Sequence, residues 1–77
     1  MKLYLGGYLS WYAPRKATQL EISLNGLTLL KDVASQLELP LGEIAIAAIN
    51  GKLVSLYSSA QVCDADSVEF HPPNGGG

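Results

Sequence analysis

The chain has 77 residues, 48% of them hydrophobic, which is enough to build one small folded domain around a real core. Its net charge of -2 leaves no basic footprint, which argues against nucleic acid or an anionic membrane surface as the main partner. Cys63 is the only cysteine, so there is no disulfide framework and no paired-cysteine metal site. No metal or cofactor is expected on the chain itself. The longest purely apolar run, Ile44 to Ile49, is far too short to cross a bilayer. Gly6-Gly7 interrupts the apolar residues after Lys2, and no small-residue cleavage site follows. No signal peptide is read, and a reducing, cytoplasmic setting is the default.

Along the chain, Lys2 to Leu5 alternates, with Leu3 and Leu5 on one face, and predicts a first strand ended by Gly6-Gly7. Tyr8 to Tyr12 suits one helical turn that packs Leu9 or Trp11 onto the core, and Pro14-Arg15-Lys16 marks an exposed loop. Thr18 to Leu24 alternates again, with Leu20, Ile22 and Leu24 inward, and Asn25-Gly26 signals a turn. A helix follows, with Thr28 as its N-cap, an apolar stripe of Leu29, Leu30, Val33, Ala34 and Leu37, and a stop at Pro40. Ile44 to Ile49 reads as a fully buried strand. Asn50-Gly51 is the strongest hairpin signal, and Lys52 to Ser55 is expected to return beside that strand. Asp64-Ala65-Asp66 is a polar turn, and Ser67 to His71 is the last strand, with Val68 and Phe70 on one face.

One amphipathic helix cannot bury its stripe alone. A mixed sheet of about five short strands with the helix across one face solves that problem. The fold class is therefore α+β; the pairing order is carried by analogy to the β-grasp or ubiquitin-like arrangement, with residues 1–73 as the folded body. Residues 74–77 form an expected flexible glycine tail. Pro72 and Pro73 favour extended backbone and cannot donate to a sheet ladder, so they end the fold and push the tail outward. Gly75, Gly76 and Gly77 carry no Cβ, so their backbone fits a slot that larger residues would block. Fully extended, Asn74 to Gly77 spans roughly 13 Å, enough to cross the wall of an active site.

The segment Ile49 to Leu56, then Cys63 to Pro73, then the terminal glycines resembles the sulfur carriers of the MoaD/ThiS type. The resemblance runs over nearly the whole chain, with departures at Ala65, His71 and Asn74. It implies a ubiquitin-like protein whose C-terminal glycine, Gly77, is adenylated and converted to a thiocarboxylate. It also implies an E1-like adenylating enzyme, which supplies the ATP and magnesium site, and a persulfide as sulfur donor. Pro72-Pro73 and the excursion from Gly6 to Ala17 resemble the small subunit of molybdopterin synthase most, which implies the large subunit of that synthase as second partner. Gly75, Gly76, Pro72, Pro73 and Phe70 are the expected tail and partner-binding residues.

The chain itself shows no phosphate-binding loop and no nucleophile with a base and orienting group, so independent catalysis is not expected. A thiamine-pathway or other sulfur carrier is the alternative of the same class. A non-enzymatic ubiquitin-like binding module or protein modifier is the alternative of a different class. His71 reads as a strand-end residue, Cys63 as an inert, partly buried thiol, and Asp64, Asp66 and Glu69 as a solvated turn in preference to a contact for a basic partner. Tyr8, Trp11 and Tyr12 read as loop packing, or as a contact surface where exposed.

Overall fold

Residues 1–73 are described by a computed structural model. The expectations for Asn74, Gly75, Gly76 and Gly77 lie outside the described residues. The strands are β1 (Lys2–Leu5), β2 (Gln19–Glu21), β3 (Thr28–Leu29), β4 (Ile46–Ile49), β5 (Lys52–Val54), β6 (Gln61–Val62) and β7 (Ser67–His71), with one helix, α1 (Leu30–Gln36). Five strands form a mixed sheet in the order β2-β1-β7-β4-β5, and β3 pairs with β6 in a small second sheet. Among the described residues only β1 and β7 are parallel, with Leu5 opposite Phe70. That pairing places the last strand at the centre of the sheet, flanked by β1 and β4.

Alternation along β1 and β7 puts Leu3, Leu5, Val68 and Phe70 on the covered face, where they meet Leu30, Val33 and Ala34 of α1. Burying such side chains contributes about 1.5–3 kcal/mol each, and this shared core holds the helix against the sheet. Leu20, Ile22 and Leu24 pack half-buried at its margin, as the alternation after Thr18 implies. Ladder pairing there covers only Gln19–Glu21, because β2 is an edge strand with β1 as its one neighbour.

The helix is shorter than the apolar stripe predicts. Thr28 is not its N-cap: Thr28 and Leu29 pair with Val62 and Gln61, and the Thr28 hydroxyl donates to the Gly26 carbonyl at 3.1 Å. A residue held in a strand ladder is extended, and α1 starts after Leu29 with no side-chain cap. Nor does Pro40 end the helix. Glu38 adopts a left-handed φ of 58°, its N–H donates to Ser35, and the Leu39 N–H donates to Ala34. These two bonds form a Schellman motif, normally built on glycine, and Leu39 and Ala34 are both buried in the core.

The Asn50-Gly51 hairpin forms as expected, with φ of 51° and 85° suited to a type I′ turn between β4 and β5. The preceding strand is not fully buried. It begins at Ile46, and Ile46 is 44% exposed because α1 covers only one face of the sheet. Ile44 is buried, but in the connection that follows a 3-10 turn at Leu41–Glu43.

Candidate functional site

The site is built around the point where β7 leaves the sheet. Val68 and Phe70 point inward, and Glu69 and His71 point to the face without a helix. The Gly6 N–H donates to the Phe70 carbonyl at 2.9 Å, and the Ala45 N–H donates to the His71 carbonyl at 2.9 Å. Both sides of the strand are thus tied down to its last residue. Pro72 is fully buried and Pro73 is exposed, so the chain emerges between the two prolines.

This geometry corrects two expected partner contacts. Phe70 is 0% exposed, packed with Leu3, Leu5 and Val68 in the core, and presents no surface to a partner. Pro72 is also closed off and anchors the tail root rather than contacting a partner. Pro73 remains available. Gly75, Gly76 and Gly77 lie outside the described residues.

His71 is accommodated by a residue that the sequence marks only as a strand stop. A Cβ on Gly6 would stand 2.2 Å from His71 Nδ1, so the imidazole occupies the space that glycine leaves open. His71 Nε2 lies 3.1 Å from Glu69 Oε1, and the Tyr4 ring stands 6.1 Å away, tilted by 50°. His71 is therefore a locked part of the exit. Opposite it in the ladder is Ile46, and Leu53 projects on the same face with 77% exposure. Across β2, β1 and β7 that face carries a groove of about 600 Å³, lined by Lys2, Tyr4, Gln19, Glu21 and Glu69 among others.

At the same end, Gly7–Tyr12 forms a 3-10 turn. Leu9, not Trp11, packs into the core, and Trp11 is 67% exposed. Tyr8 donates a hydrogen bond to Glu43, and this bond raises the Tyr8 phenol above its usual range.

The opposite end of β7 is a clasp. Asp66 accepts from the Cys63 N–H at 2.8 Å and from the Asn50 amide at 2.9 Å, and Asn50 accepts from the Ser67 N–H at 2.9 Å. Asp64 accepts from the Leu24 N–H at 2.7 Å. The backbone donors to Asp64 and Asp66 hold both carboxyls below their usual range. Their first task is to satisfy turns, not to wait for a basic partner. Ala65 has no positive φ, so this turn needs no glycine.

Among the described residues no helix is long and apolar enough to cross a membrane. A mixed five-stranded sheet gripping one main helix, with its central last strand running out to a proline pair, places the molecule in the ubiquitin-like β-grasp class. Residues 8–77 match the ThiS family, and the chain belongs to it. No curated protein and no solved structure matches the chain significantly. The family consists of small sulfur carriers, not catalysts in themselves, that work with E1-like adenylating enzymes and sulfur-transfer partners. This chain is accordingly a sulfur carrier.

Proposed function

We propose that the carboxyl group of Gly77 is the sulfur-bearing atom group, and that the sulfur is destined for molybdopterin. The observation that supports Gly77 in this role most is the family match running through residue 77, across the glycines beyond the exposed Pro73. An α-carboxylate is an anion at neutral pH and a poor acyl donor, so it needs activation. It attacks the α-phosphate of ATP on the adenylating enzyme, where magnesium is also expected, and pyrophosphate leaves. The terminal sulfur of a persulfide attacks the acyl-adenylate carbon, and AMP departs with the former carboxyl oxygen. A second thiol cleaves the acyl disulfide, releasing the thiocarboxylate and leaving a disulfide on the donor.

The large subunit of a molybdopterin synthase then takes the tail and passes the sulfur to a pterin precursor. Pro72-Pro73 and the structured excursion between β1 and β2 favour this acceptor. The body contributes a fixed tail root, and the glycines contribute thinness. The adenylating enzyme and the synthase subunit are protein partners, and their docking energy must offset the ordering of the tail, about 1–2 kcal/mol per residue. Complementation tests the acceptor. The chain is expected to restore molybdopterin synthesis in cells lacking their own small subunit. Rescue of a thiamine-carrier deficiency alone would overturn the assignment in favour of the thiamine pathway.

A further inference from the structure

We propose that Tyr8, Trp11, Tyr12, Arg15 and Lys16 form a collar that docks on an acidic surface around the tail-receiving channel of the adenylating enzyme. This rests on the carrier reading above.

The excursion starts at Gly6, bonded to Phe70 and packed on His71, and it returns where the Leu5 N–H donates to the Thr18 carbonyl at 2.8 Å. Both of its feet thus stand beside the last turn of chain before the tail. An enzyme that draws the tail inward must approach this end of the molecule.

All three aromatics are exposed, and the Lys16 ammonium sits 4.4 Å from the centre of the Trp11 ring. That stacking fixes a cation on an apolar platform at the surface. Arg15 and Lys16 both adopt left-handed backbone, with φ of 57° and 53°. Successive non-glycine residues in that region are uncommon, and such strain gathers at functional sites. Leu9 anchors the loop, so the aromatics are not needed as core.

Residues 7–17 contain Arg15 and Lys16 and no acidic residue, in a chain whose net charge is -2. Of the nearby carboxylates, Glu43 is engaged by the Tyr8 hydroxyl and Glu69 lies 3.1 Å from His71 Nε2. Asp64 and Asp66 lie at the other end of β7. An acidic partner surface is drawn to the collar and turned away from the rest of the body, which orients the tail toward the channel.

The test is ATP–pyrophosphate exchange by the E1-like adenylating enzyme of the same organism, with the full-length carrier as varied substrate. In the triple variant Trp11→Ala, Arg15→Glu, Lys16→Glu, KM for the carrier is expected to rise roughly tenfold or more. The kcat should not change, because the collar binds ground and transition states alike. Wild-type KM should rise with salt, and the variant's should rise less. Lys31→Glu on α1 is the control and should leave KM alone. If the triple variant fails to fold, Lys16→Glu against Lys16→Arg decides, with only the former raising KM. Equal KM for variant and wild type, or an equal rise in the control, overturns the collar while leaving the carrier reading intact. No exchange with the wild-type chain overturns both.

Discussion

The two ends of β7 solve different problems. At the end where the strand begins, Asn50, Asp64 and Asp66 spend their polar atoms on backbone N–H groups and on one another. At the end where it leaves the sheet, aromatics and cations stand exposed, and glycine makes room for His71. Polar groups that close turns stabilise a fold. Large apolar groups left in water do not, and their exposure beside the tail root points to a partner. The comparison separates residues that hold the carrier together from residues that present it.

The exit is expected to be most sensitive at Gly6. Gly6→Ala forces its Cβ onto the imidazole, and overpacking of this kind costs roughly 1–3 kcal/mol. The double variant Gly6→Ala, His71→Ala should recover most of that loss in thermal melts. If Gly6→Ala melts with the wild type, the exit is not locked by this contact.

The clasp is expected to show itself through pH. Asp64 and Asp66 are held below the usual carboxylate range when folded, so they contribute stability above the unfolded value. That contribution is lost as pH falls from about the unfolded pKa of ~3.9 through the lower folded values. The melting temperature should drop across that window, and Asp64→Asn with Asp66→Asn should flatten the drop. An unchanged slope in the double variant would show that these carboxylates do not clasp the turn.

The smallest effect belongs to neither end. Glu38→Gly should stabilise the protein by up to about 1 kcal/mol, because glycine reaches the left-handed Schellman position without the cost an L side chain bears. Denaturant midpoints check it, and a destabilised variant would mean that the Glu38 side chain contributes more than its backbone costs.

Much of this plan is legible in the sequence where a local signal meets no competitor. The alternation of Lys2–Leu5 and Ser67–His71 and the Asn50-Gly51 turn need only near neighbours to form. Thr28 misleads because a cap and a strand are both open to it, and pairing with distant Val62 decides. Glu38 carries no glycine signal, so the helix stop is hidden. Ile46 and Ile44 look alike in an apolar run, and only the one-sided cover of α1 separates them. At the candidate site, the prolines announce the end of the fold. That Phe70 and Pro72 face inward depends on register with β1 and β4, which one strand's residues do not encode. The fit of Gly6 to His71 pairs positions far apart in the chain, and in the sequence Gly6 signals only a strand end.

The most direct test of the central claim is intact-mass and fragment mass spectrometry of the full chain after incubation with the adenylating enzyme, ATP and a persulfide donor. One oxygen is expected to be replaced by sulfur, located on Gly77. A whole sulfur atom added at Cys63, with Gly77 unchanged, would contradict it.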